Sequence, residues 1–312
     1  MQIGILEPSD FSTKALERLR TLGSVDLYRE ESSLEEFLTD KVCLFVRLNY
    51  QLTSEVLGNA KHLKYLCTPT TGLNHIDLTF CKLVNISVIS LHGEYEFLND
   101  IRATSEHTLG LILALLRNYK KAFSNVASCH DRDNFKGFEI YRAKVGIIGL
   151  GRIGRILVSY LNAMGAECLY YDLEEIATGD IQPIYKASSI NNLIRESDII
   201  CLCVAYNEQN SKLINKEYLE LMKGKFFINT ARGELVDEAS LISKIKEGHF
   251  RGVALDVIAG DSLFNEQNRF GEIQKISKDL NFIYTPHIGG ATFSSMMRTE
   301  EFITQKLFNH ID

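Results

Sequence analysis

Three short stretches of this sequence hold the residue types that chemistry on a carbonyl group requires. The first is Asn229-Thr230-Ala231-Arg232-Gly233-Glu234, which follows the apolar run Phe226-Phe227-Ile228. An arginine at such a strand end could clamp a carboxylate with two parallel hydrogen bonds and polarise an adjacent carbonyl. The plainer reading is an ion pair with Glu234 or Asp237. The second stretch is Leu255-Asp256-Val257, with Asp261 five residues after Asp256. The third is Thr285-Pro286-His287-Ile288-Gly289-Gly290-Ala291-Thr292, a histidine between a rigid proline and two glycines. A lone histidine is more often structural than catalytic, but this side chain titrates where it can give or take a proton.

A proton and an oxyanion clamp suit a redox reaction if a hydride carrier is present, and a fourth stretch points to one. Gly149-Leu150-Gly151-Arg152-Ile153-Gly154 follows the strand-like run Val145-Gly146-Ile147-Ile148. After it, Ile156, Leu157, Tyr160, Leu161 and Met164 recur at helical spacing, up to Gly165. A strand that turns tightly into a helix aims free N–H groups and the positive helix end at a pyrophosphate. A second strand, Cys168 to Tyr171, ends in Asp172, eighteen residues after Gly154. That spacing suits an acid bonded to a ribose. Its charge would repel a 2′-phosphate, and Leu173-Glu174-Glu175 supplies no arginine to receive one, so NAD is expected rather than NADP.

Apolar runs at Ile3 to Leu6, Val25 to Tyr28, Val42 to Val46, Lys64 to Cys67 and Ile86 to Ser90 alternate with helical stretches near 12–22, 32–38, 53–60 and 76–83. The pattern restarts with strands at 144–148, 168–171, 198–204, 225–229, 252–257 and 281–285. Such alternation predicts an α/β protein with two Rossmann-like or flavodoxin-like parallel sheets and a cleft between the domains. Residues 1–100 plus 291–312 are expected to form a substrate domain and 101–290 an NAD-binding domain, with crossings near 98–102 and 288–292 acting as a hinge. Between them, Ile101 to Asn118 is apolar almost all round, which predicts a helix buried on every side, either between the domains or in a subunit interface. A homodimer is the expected assembly.

With 312 residues, 45% hydrophobic and 24% charged, the chain has the composition of a globular protein with material for two cores. Its net charge of −6 argues against nucleic acid as a partner. No stretch is long and apolar enough for a membrane span, and the N-terminus reads as a first strand, so the cytoplasm is expected. The seven cysteines (Cys43, Cys67, Cys81, Cys129, Cys168, Cys201 and Cys203) lack a C-x-x-C pair and read as free buried thiols, with no metal site.

Taken in order, Glu106-His107-Thr108-Leu109-Gly110, the glycine fingerprint, Asn229 to Gly233 with Leu235-Val236-Asp237, Leu255-Asp256-Val257 and Thr285 to Thr292 resemble the signatures of the D-isomer-specific 2-hydroxyacid dehydrogenases. The resemblance implies a small 2-hydroxy or 2-oxo acid as substrate. It implies that Arg232 holds the substrate carboxylate and carbonyl, and that His287 is the acid–base group. In the family that histidine is paired with a glutamate; here the position is Asp261, one methylene shorter. The cofactor would be contacted by Gly149, Gly151, Arg152, Ile153, Gly154, Asp172, Val204, Thr230, Ala231 and Asp256, the last on the nicotinamide side. Thr70 to Asp77 resembles the loop whose amides receive the substrate carboxylate, through Thr71 and Gly72. Arg47 falls where some members keep an arginine toward the far end of the substrate, which would suit an acidic or phosphorylated group; a surface role is the alternative for it. Fold does not fix function, so a dinucleotide-sensing interaction protein without significant turnover is the competing reading.

Overall fold

The computed structural model describes residues 1–125, 132–181, 183–259 and 280–311, which form two compact units. The first unit gathers residues 1–101 and 291–311, and the second the described residues from 102 to 290.

In the first unit, strands β1 (Gln2–Ile5), β2 (Ser24–Leu27), β3 (Cys43–Phe45), β4 (Tyr65–Cys67) and β5 (Ser87–Ile89) make a parallel sheet in the order β2-β1-β3-β4-β5. Helices α1 (Thr13–Leu22), α2 (Leu34–Leu38), α3 (Ser54–Leu57) and α4 (Leu78–Leu83) connect them, α5 (Tyr95–Leu98) follows β5, and a C-terminal helix, Phe293–Ile311, packs against α1, β4 and β5. Side-chain alternation along the strands feeds two cores. Ile3, Ile5, Cys43, Phe45 and Cys67 join Ile303 and Leu307 on one face, while Leu44, Val46 and Leu66 join Leu38, Leu52 and Leu57 on the other. All five strand runs read from sequence are present, β1 and β2 shifted one residue toward the N-terminus and β3, β4 and β5 trimmed by one or two residues.

The second unit begins with α6 (Ala103–Leu116) and α7 (Tyr119–Asn125), followed by β6 (Lys144–Ile148), α8 (Arg152–Ala163), β7 (Glu167–Tyr171) and β8 (Tyr185–Lys186). Then come α9 (Ile190–Glu196), β9 (Ile199–Leu202), α10 (Lys216–Leu221), β10 (Phe226–Asn229), α11 (Glu238–Lys246), β11 (Gly252–Leu255) and β12 (Phe282–Tyr284). The sheet order is β12-β11-β10-β9-β6-β7-β8, all parallel. Because helices cover both faces, its central strands are continuously apolar. Ile199 and Cys201 point into one core and Ile200 and Leu202 into the other. Strand β8 escaped the sequence reading because it is two exposed residues at the sheet edge. Within this one chain the helix expected between the domains or in a subunit interface is covered on one side. In α6 the side of Ala103, Ser105, Thr108, Leu111, Ile112, Leu115 and Leu116 is buried, whereas Glu106 and Gly110 are exposed and Leu109, Leu113 and Ala114 are only partly covered.

Candidate active site

The fingerprint has the backbone that a bound pyrophosphate needs. Gly149 sits at φ +92°, a left-handed conformation that a side chain resists, and a Cβ there would meet Val204 Cγ2 at 2.8 Å. At Gly154 a Cβ would lie 2.4 Å from the Gly149 carbonyl oxygen, so glycine allows α8 to start against the turn. A Cβ on Gly151 would meet nothing within 4 Å, and no side chain caps the helix it begins, so the amide end of α8 stays open to an anion. Burial lowers the Arg152 guanidinium below its usual range. The Ile153 carbonyl accepts from Ser105 Oγ at 3.1 Å, which ties the turn to α6. Asp172, at the end of β7, accepts from the Leu150 amide at 2.8 Å and the Glu174 amide at 3.2 Å. These residues fit a dinucleotide.

Three neighbouring strands of the same sheet, β10, β11 and β12, end side by side, with Asn229 opposite Leu255 and Leu255 opposite Tyr284. The polar stretches read from sequence leave from these ends. After β10, Asn229 Oδ1 accepts the Ala231 amide at 3.0 Å and its Nδ2 donates to the Arg232 carbonyl at 2.9 Å. One buried asparagine thus sets the turn that carries the arginine. Arg232 is half-buried and donates to the Ala231 carbonyl at 2.7 Å. Gly233 follows because a Cβ there would overlap the Ile258 backbone at 1.9 Å. Thr230 is buried and shares a 2.8 Å hydrogen bond with Thr108 of α6.

Asp256, just past β11, is buried, with its carboxylate turned onto the next strand end. Oδ1 accepts from Thr285 Oγ1 at 2.6 Å and the Ile288 amide at 2.9 Å, and Oδ2 accepts from the Gly289 amide at 2.8 Å. His107 Nε2 lies 3.2 Å from Oδ1 and 3.1 Å from Thr285 Oγ1. Burial works to raise the Asp256 pKa, but the hydrogen bonds from His107, Thr285 and Gly289 prevail and hold the carboxyl below its ordinary value. The result is a loop bent around an anion. His287 stands in it at φ +53°, where a non-glycine residue is strained. Its amide is held by the carbonyls of Asp256 at 2.8 Å and Thr285 at 2.9 Å. Asp256 therefore fixes the backbone that presents His287, a role that its sequence signature did not disclose. His107 belongs to the Glu106–Gly110 stretch, and its spacing of 149 residues from Asp256 hides the contact. Asp261 and Cys129 lie outside the described residues.

In the first unit, the loop after β4 is braced internally. Thr68 Oγ1 bonds Thr70 Oγ1 at 2.9 Å and approaches His75 Nε2 at 3.4 Å, and Thr70 Oγ1 donates to the Gly72 carbonyl at 2.9 Å. Among the described residues the Thr71 and Gly72 amides find no acceptor, which leaves two donors for a carboxylate. Arg47 emerges from β3, the strand beside β4, but its guanidinium is occupied. Nε and Nη2 donate to Glu300 Oε1 at 2.9 and 2.5 Å, and Nη1 donates to the Ser9 carbonyl at 3.0 Å. The surface role that was the alternative for Arg47 is not what the structure shows: the guanidinium makes a largely buried ion pair with Glu300. Glu300 and its neighbour Glu7 were not singled out in the sequence. A glutamate on the same helical face as Ile303 and Leu307 was the available signal.

The chain is 32% identical to a glyoxylate reductase of Thermofilum pendens over 88% of its length and 80% of that protein's. It is 28% identical to a glyoxylate reductase of Pyrococcus furiosus over 97% of its length and 92% of that protein's. A solved structure of D-lactate dehydrogenase from Aquifex aeolicus, complexed with NAD and lactic acid, superposes with a TM-score of 0.84 at 27% identity, covering 100% of this chain and 95% of that one. Residues 109–289 match the family described as D-isomer specific 2-hydroxyacid dehydrogenase, NAD binding domain. That match spans more than half of the chain and takes in the fingerprint and all three strand ends, so the protein belongs to the D-isomer specific 2-hydroxyacid dehydrogenase family, with NAD as its cofactor.

Proposed function

We propose that this NAD-dependent dehydrogenase interconverts a small D-2-hydroxy acid and its 2-oxo acid, with His287 as the acid–base group and Arg232 as the carboxylate and carbonyl clamp. The observation that carries this reading is the anchoring of the His287 loop by Asp256, whose carbonyl accepts the His287 amide and whose carboxylate accepts those of Ile288 and Gly289, on a strand end beside the turn that presents Arg232. The dinucleotide, when bound, donates a hydride to the substrate's C2 or accepts one from it. Gly149, Gly151, Arg152, Ile153 and Gly154 would hold its pyrophosphate and Asp172 its ribose, with Val204, Thr230 and Ala231 along its length. In the reductive direction Arg232 polarises the carbonyl, and His287 gives its proton to the oxygen that becomes the hydroxyl. In the oxidative direction His287 takes that proton back. The Thr71 and Gly72 amides, which find no acceptor among the described residues, suit the substrate carboxylate. Asp261 is the proposed partner that favours protonated His287. Asp256 supports the nicotinamide side through the loop it holds.

The glyoxylate and lactate named for its relatives are the first acids to try. Loss of NADH absorbance with a panel of 2-oxo acids tests the reaction. His287→Ala should lower turnover by about two to four orders of magnitude while NADH binding persists. Full activity in that variant would remove His287 from its role. No turnover of any acid beside tight NADH binding would favour the sensor reading, which nothing in the named relatives supports.

A homodimer is the proposed assembly. Helix α7, which follows α6, exposes Tyr119 and Phe123, which stack at 5.2 Å, and the second unit also exposes Phe138 and Tyr141. That much aromatic surface suits a second copy of the chain, and sedimentation equilibrium reads it out. No helix among the described residues is long and apolar enough to cross a membrane. The six described cysteines are free, which suits the cytoplasm as the proposed compartment.

A further inference from the structure

Arg47 is where the sequence pointed to recognition of an anionic distal group, and the structure gives the opposite sign to that corner of the first unit. Glu300 is fully buried, and its second oxygen, Oε2, accepts the Ser12 amide at 2.7 Å, so it cannot swing away from the arginine. Three of the five guanidinium N–H groups are taken by Glu300 and Ser9, and the side chain is only 15% exposed. Phe11 lies under the guanidinium at 5.9 Å. A second buried carboxylate stands close by. Glu7 Oε1 accepts the amides of Leu48 at 3.1 Å and Asn49 at 3.0 Å, and its Oε2 accepts the amide of Arg47 itself. With both acids ionised, two negative charges face one positive charge. A substrate anion would have to displace a carboxylate that is already positioned and loses no freedom by staying.

We propose that Glu300 is a specificity-determining positioning residue: by occupying Arg47 from within the protein, it restricts the enzyme to 2-oxo acids whose distal end carries no charge. This rests on the proposed reaction and on Arg47 lying toward the distal end of the substrate. Glyoxylate, pyruvate and hydroxypyruvate fit the restriction. Oxaloacetate and 3-phosphohydroxypyruvate, which add a carboxylate or a phosphate to the same skeletons, do not.

The test is the ratio of kcat/KM with NADH for two matched pairs, oxaloacetate against pyruvate and 3-phosphohydroxypyruvate against hydroxypyruvate. The wild-type chain should favour the uncharged member of each pair by about tenfold or more. Glu300→Gln and Glu300→Ala should raise the charged-to-uncharged ratio by about tenfold or more, through a lower KM for the charged acid. Adding Arg47→Met to Glu300→Gln should erase the gain, which a merely structural role for Glu300 would not predict. A wild-type preference for the charged acids overturns the proposal and needs no variant. So does an unchanged ratio in variants that retain the wild-type circular dichroism spectrum. Absence of turnover with every acid in the wild-type chain would instead overturn the proposed reaction, and this inference with it.

Discussion

Two buried carboxylates, one in each unit, meet the same physics and come out with opposite signs. Asp256 and Glu300 are 1% and 0% exposed, so desolvation pushes both toward the neutral form. Asp256 meets a hydroxyl, two successive backbone amides and an imidazole, and its pKa falls. Glu300 meets one amide and one arginine, and its pKa rises, because burial outweighs them and the Glu7 charge adds to it. Glu7 follows the same course, raised by burial despite three backbone amides and the nearby Arg47. Three backbone amides do not offset burial at Glu7, so what sets Asp256 apart is the imidazole and hydroxyl added to its amides. Asp256 serves as an anchor for a strained loop, whereas the Glu7–Arg47–Glu300 cluster holds charge that it barely neutralises.

The largest effect should come from the better satisfied site. Asp256→Asn keeps the shape but turns an N–H toward the amides of Ile288 or Gly289, which leaves donor facing donor. Breaking such a buried polar cluster should cost about 3 kcal/mol in urea unfolding. A displaced His287 should cost about a hundredfold in kcat. Stability and turnover both within experimental error of wild type would mean that the loop does not depend on the anion. Glu300→Met should be milder, about 2 kcal/mol, from leaving Arg47 and the Ser12 amide without their acceptor. The double replacement Arg47→Met with Glu300→Met should recover most of that loss, since a buried pair exchanged for apolar side chains is often neutral. A double variant as unstable as the single one would show that the pair contributes more than a cancelled burial cost.

The contrast between the two sites also marks what the sequence could disclose. Strand positions were legible because β6, β9, β10 and β11 are short apolar runs ended by turn residues, and the fingerprint was legible because a tight turn demands glycine at Gly149 and Gly154. His287 and Arg232 were legible as polar residues breaking out of such runs. The contacts that hold them were not. His107 meets Asp256 only when α6 packs against β11. Glu300 and Glu301 are neighbours in sequence, yet one is fully buried on Arg47 while the other reaches out to Lys14. Helical phase decides that difference, and reading it requires knowing which face of the C-terminal helix the sheet will cover. The run Thr108 to Leu116 has a related limit: apolar composition says that burial is favourable, not that this chain alone supplies the cover.

The smallest expected effect is the pH dependence, and it separates the two carboxylates by sign. Glu300 has a folded pKa above the ordinary glutamate value of 4.5, so the native state keeps a proton that the unfolded chain has released. Unfolding free energy should therefore rise as pH falls from the raised value toward 4.5. Asp256, held below the ordinary aspartate value of 3.8, contributes stability that is fully present above 3.8 and is lost only as pH drops through its lower folded value. Between pH 5 and 7, Glu300→Gln should flatten the change in urea-unfolding free energy, whereas Asp256→Asn should lower stability by the same amount at both pH values. The flattening should be under about 1 kcal/mol, because Glu7 remains and titrates in the same direction. A Glu300→Gln variant with the wild-type slope would assign the proton uptake to Glu7 alone, and the contrast with Asp256 would then lie between the three amides on Glu7 and the mixed donors on Asp256.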